Sequence, residues 1–232
     1  EIRIRDWSSD VCSSDLTVAS SASVAVSNTV LLKTTANSIT FQNSAQLTGS
    51  SGNIVLEAED NISLAGGSTI AVTSGELILR SGLSSTDGVG SMTLDGTLQA
   101  VTAGQFITLD LNDELAATQN TTTGRILAPN LRLLSNSTDT ASFTLLAGTR
   151  NDVDVLSALT SGAVSFSDLD DLTIGSIASS SGIAAMAGIS TVNGVTEGAA
   201  VAVTSNTALT ANQPIRTSPA SAAGSLNLGS VT

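Results

Sequence analysis

Asn53–Arg80 reads NIVLEAEDNISLAGGSTIAVTSGELILR. In it Ile54, Ile62, Ile70 and Ile78 stand at a constant spacing, each inside a short run where apolar and polar residues alternate. A period of two is the mark of a strand with one face buried, and the Gly, Ser, Asn and Asp residues between the runs are turn formers. The pattern recurs at Ser38–Phe41, Ser91–Asp95, Gln105–Leu111, Asn130–Leu134, Ser142–Leu146, Asp152–Leu156, Ala163–Ser167, Asp171–Ile174 and Ala200–Thr204. Good helix formers are scarce, and no window keeps a 3.6-residue apolar period.

Regular short strands suit a sandwich, a barrel or a solenoid. Two features favour the solenoid. Asp87-Gly88, Asp95-Gly96 and Asn193-Gly194 are the only Asn-Gly or Asp-Gly pairs, too few to join a dozen strands as tight hairpins. The apolar positions also hold interchangeable aliphatics, as expected where each strand stacks on its equivalent one coil later. The expected fold is all-β, a right-handed parallel β-helix (β-solenoid), with tandem antiparallel β-sandwich modules as the alternative. Coils of roughly 20–25 residues predict about nine or ten of them. The inward ladder is expected to be Ile54, Leu56, Ile62, Leu64, Ile70, Val72, Leu77 and Leu79.

Residues 1–16 stand apart. Asp6–Leu16 (DWSSDVCSSDL) matches the translation of a short-read sequencing adapter, so 1–16 is read as an artefact and excluded from fold reasoning. It holds the only Trp (Trp7) and the only Cys (Cys12). The remainder is expected to be a fragment of a longer protein. Residues 17–47 are Ser/Thr/Ala-rich, expected to be irregular or a broken first coil; 48–177 form the solenoid body; 178–232 are Ala/Ser/Gly-rich weaker coils or a linker, with Pro214 and Pro219 unable to donate to a ladder.

Composition narrows the function. Among 232 residues, 20 acidic and 8 basic side chains leave a net charge of −12. That offers no basic footprint for nucleic acid. Histidine is absent, which removes Ser-His-Asp triads and imidazole metal sites from this stretch. Aromatics are only 2%, leaving few platforms for sugars. The remaining chemistry is carboxylate: Glu57/Glu59/Asp60, Asp110/Asp113/Glu114, Asp152/Asp154 and Asp168/Asp170/Asp171. The turn at Asp168, Asp170 and Asp171 is the best candidate for Ca²⁺, a cation that takes six to eight oxygen ligands. Against it stands a solvated turn in which Asp bonds its own backbone. No catalytic or other cofactor site is expected, and the chain is read as non-enzymatic.

Gly52–Val72 (GNIVLEAEDNISLAGGSTIAV) and Ser142–Ile177 (SFTLLAGTRNDVDVLSALTSGAVSFSDLDDLTIGSI) resemble the repetitive region of filamentous-haemagglutinin-like large exoproteins. The resemblance implies a non-catalytic adhesin shaft of a Gram-negative cell, exported by two-partner secretion through an outer-membrane transporter. It implies a secreted or cell-surface location, and a host surface, neighbouring cell or glycan as partner of the full-length protein. The alternative is a polysaccharide-binding or polysaccharide-degrading β-helix protein.

Overall fold

The computed structural model describes residues 10–12, 15–83, 90–112, 116–135, 141–192, 199–217 and 226–230. Among them there is no helix. The chain winds as a parallel β-solenoid. Three faces make each coil. Face one carries Val30–Thr34, Ile54–Glu57, Leu77–Ser81 and Phe106–Leu111. Face three is a nine-stranded sheet that includes Ile39–Phe41, Ile62–Leu64 and Ser91–Leu94. Face two carries Gln46–Gly49, Thr69–Val72 and Thr97–Ala100. Arg125–Ser135 turns the corner from face two to face one, joining them into a fifteen-stranded sheet. Pro129 sits at that bend, between the rungs of Ala128 and Asn130, where its missing N–H leaves no ladder bond unmade.

The register stacks like on like. Val30, Ile54, Leu77, Ile107, Leu131 and Leu156 form one interior column on face one. Ile39, Ile62, Met92, Ala117, Phe143 and Val164 form another on face three. Phe143 stands directly over Ala117, a large side chain beside a small one that keeps the column filled. All eight residues expected in the inward ladder are at most 2% exposed. Each such side chain contributes about 1.5–3 kcal/mol by leaving water.

The sandwich alternative does not hold. Among the described residues every ladder between coils is parallel, and the antiparallel contacts are a two-stranded hairpin, Ser176–Ile177 with Met186–Ala187, and one bridge inside it, Ser180 to Ile183. Face three stacks nine strands, one for each coil, and coil length varies. The chain advances 23 residues from Ser38 to Asn61, 30 from Asn61 to Ser91, and 37 from Ser167 to Thr204.

The stretch 17–47 is not irregular: its strands pair in register with the next coil on all three faces. Its short alternations, such as SVAV at Ser23–Val26, are completed by a neighbour that supplies the ladder. Asp10–Cys12 pairs with Val30–Thr34, and Leu16 is buried against Ile39. An open strand edge accepts any extended segment, so pairing here says nothing of origin. Beyond Ile174 the chain leaves the coil, returns at Ile189–Ser190, and adds Val201–Ser205 and Leu226–Ser230 to face three.

Candidate functional site

On face one, alternate residues point outward and stack into columns. One column reads Lys33, Glu57, Arg80, Asp110. The charges alternate and connect: Lys33 Nζ lies 3.0 Å from Glu57 Oε2, Arg80 Nη1 lies 2.9 Å from Glu57 Oε1, and Arg80 Nε lies 3.5 Å from Asp110 Oδ2. Burial acts to raise the Glu57 pKa, but hydrogen bonds from Lys33 and Arg80 outweigh it, and the net direction is down. Asp110 goes the other way, because its burial exceeds what Arg80 returns.

The adjoining outward column reads Ile78, Thr108, Arg132, Ser157. These four are at most 1% exposed although they face away from the core. The cover is the stretch 176–187. It interrupts a strand position: Val155 and Leu156 pair with Thr173 and Ile174, whereas Ala158 and Leu159 pair with Ile189 and Ser190. Between them the chain rises as a hairpin. Its tip, Ser181-Gly182, has positive φ at both residues (48° and 78°), as a type I′ turn requires. Ser180 and Ile183 bridge across the tip.

The hairpin folds back along face one. Arg132 Nη2 donates to the Ser180 hydroxyl, and Asn53 Nδ2 donates to Ser181 Oγ at 2.9 Å. At its base Gly188 N–H donates to Gly175 O at 2.9 Å, and the Ser157 hydroxyl donates to the same carbonyl at 2.6 Å. Gly188 has φ +74°, and a Cβ there would meet Pro214 O at 2.0 Å. Only glycine closes this base without displacing the next coil. Ile177 and Met186 tuck under the hairpin, 2% and 8% exposed.

Beneath it, the Arg132 guanidinium lies 4.3 Å from the centre of the Phe106 ring, within cation–π range. Burial lowers the Arg132 pKa and nearby Glu76 opposes the shift. Arg132 Nε and Nη1, Thr108 Oγ1 and Glu76 Oε2 are buried without a hydrogen-bond partner. Such atoms are uncommon in folded proteins and invite an explanation.

The Asp168, Asp170 and Asp171 turn is spread over different tasks. Asp168 is fully buried. Its Oδ1 accepts the Val153 N–H at 3.0 Å and its Oδ2 the Asp170 N–H at 3.1 Å. Burial pushes its pKa up to about 7, against those two N–H bonds, with Asp170 and Asp152 adding repulsion. Asp171 Oδ1 instead accepts from the Thr207 hydroxyl and the Ala208 N–H of the next coil. Among the described residues no group of three or more His, Cys, Asp or Glu is placed to hold a metal ion. Asp152 and Asp154 line an open groove of about 210 Å³ with Val101, Leu127, Ala128 and Pro129; burial, then Asp152 and Asp170, raises the Asp154 pKa. In the cluster Asp110/Asp113/Glu114, residues 113 and 114 lie outside the described residues.

Next to Asp168 lies a polar corner that alternation did not announce. The buried amides of Gln119 and Asn151 exchange two hydrogen bonds, 2.7 and 3.0 Å. Asn151 also takes the Ile126 N–H and donates to Ser167 O. The signal available was Asn in the loop before Asp152-Val153, a turn former placed where a corner repeats. No family model, curated protein or solved structure matches the chain.

Proposed function

We propose that the chain is a structural, non-catalytic shaft segment of a large secreted or surface-attached bacterial adhesin. The carrying observation is the continuous parallel stack in which one aliphatic column runs through six successive strands without a break in register. Each coil buries its aliphatic face against two neighbours, so stability grows with coil number. The likeness of Gly52–Val72 and Ser142–Ile177 to exoprotein repeats supports export through an outer-membrane transporter and attachment to a host or neighbouring cell.

The test places an epitope at the exposed turn Ser50–Ser51 of the full-length protein. On intact producing cells the epitope is expected to bind antibody and to be removed by external protease. Staining only after lysis overturns the surface role. Incubating the purified chain with cell-surface polysaccharides separates the alternative: released reducing ends would establish a degrading enzyme.

A further inference from the structure

We infer that the outer surface of face one beneath residues 176–187 is a lidded binding site for a neutral, hydroxyl-rich ligand, a sugar ring or linear polyol. The inference goes beyond the shaft reading and stands without it.

The unpaired atoms define the ligand. Arg132 offers two N–H donors, at Nε and Nη1, Glu76 offers an acceptor at Oε2, and Thr108 offers a hydroxyl able to do either. Each buried group left unpaired costs about 1–3 kcal/mol. Thr108 and Arg132 are directly paired on adjacent strands, and Glu76 is near enough to act on the Arg132 charge. The two formal charges cancel. An anion would satisfy the guanidinium but face Glu76, and a cation would do the reverse. Hydroxyls both give and take, so one ligand with neighbouring hydroxyls meets the whole set. Phe106 supports the guanidinium from one side.

The lid is the hairpin. Its Ser180 hydroxyl already sits on Arg132 Nη2, in the place a ligand hydroxyl would take. Because Gly175 and Gly188 are bonded at the base, the coil stays continuous whether the hairpin is down or raised. Two hydroxyl contacts, Ser180 to Arg132 and Ser181 to Asn53, and two apolar anchors, Ile177 and Met186, hold it. Contacts worth about 0.5–1.5 kcal/mol each permit local opening well below global unfolding.

The experiment uses the full chain carrying Cys12→Ser, with and without the pair Asn53→Cys and Ser181→Cys, whose side chains meet across the tip. Saturation-transfer NMR reads binding of hexoses (glucose, galactose, mannose) and of glycerol, with acetate and inorganic phosphate as anionic probes. Saturable binding of a hexose or of glycerol is expected, weakened at least about tenfold by oxidation of the cysteine pair and restored by reductant. Ser180→Ala is expected to strengthen binding, and Glu76→Gln to weaken it about tenfold, roughly one hydrogen bond to a charged group. No saturable binding of any neutral probe up to the millimolar range overturns the inference. So does binding that ignores the lock, or a preference for acetate or phosphate.

Discussion

Two columns run side by side up the same outward face and have opposite fates. Lys33, Glu57, Arg80 and Asp110 are partly open to solvent and bonded to one another in sequence. Ile78, Thr108, Arg132 and Ser157 are sealed, and Arg132 retains two donors without a partner. The coils place both columns identically, so the difference comes from the hairpin at 176–187. An arginine is a modest surface partner at Arg80, on Leu77–Ser81, and a desolvated, unsatisfied group at Arg132, on Arg125–Ser135 and two register positions away. Location relative to the cover decides, not residue type.

The comparison rests on an intact stack beneath both columns, and the largest effect breaks that stack. Ile62→Asp puts a carboxylate at a fully buried rung. The expected cost exceeds about 4 kcal/mol, with loss of cooperative melting by circular dichroism. An unchanged melting curve would remove the aliphatic column as the source of stability.

Next comes the buried carboxylate at the corner. The Asp168 pKa stands near 7 in the folded chain against an ordinary 3.8, so the folded state holds its proton more tightly than the unfolded state does. The contribution of Asp168 to stability is therefore greatest below about pH 4, falls as pH rises through the interval to about 7, and levels off above it. The swing is a few kcal/mol at most. Asp168→Asn should flatten the melting temperature over this interval. A variant that keeps the parent's slope would assign it to another group.

The two arginines give the sharpest contrast. Arg132→Met removes a buried cation and its unmet donors while filling similar space. The change is expected to be neutral or stabilising by about 1 kcal/mol. Arg80→Met should instead destabilise, by about 1–2 kcal/mol, since it strips a partner from Glu57 and Asp110, whose side chains are only 15% and 23% exposed. Chemical denaturation of both variants checks the signs; equal losses would erase the distinction between the columns.

Smallest is the salt effect. Glu57→Gln breaks two ion pairs at once, and the loss, below about 1 kcal/mol, should shrink at high ionic strength. Thermal melts in low and molar salt measure it.

Much of the solenoid was legible. Alternation at Ile54–Glu57, Ile62–Leu64 and Thr69–Val72 named both the strands and their inward residues. The eight-residue spacing, unlike the alternation that named Leu77 and Leu79, breaks at Ile78, the fourth isoleucine of the series. That residue points outward between inward Leu77 and Leu79 and is buried by the hairpin. A spacing count cannot tell one burial from the other. The strands of 17–47 were obscured because three or four residues of alternation carry little signal until a stacked neighbour completes them. The hairpin was hidden in an Ala/Ser/Gly-rich stretch, where Ser181-Gly182 is a turn pair of lower specificity than Asn-Gly. The charge column was illegible for a further reason: its members lie 23 or more residues apart in sequence, and only the register brings them together.

The sequence alone determined that this chain builds parallel β coils around small aliphatic side chains, because period-two alternation and the lack of hairpin turns are local properties. The tertiary structure alone decided which outward residues pair, which are sealed, and where polar groups are left unmet. Those outcomes depend on inter-coil register and on a hairpin that folds back across several coils, and neither is encoded in any single stretch.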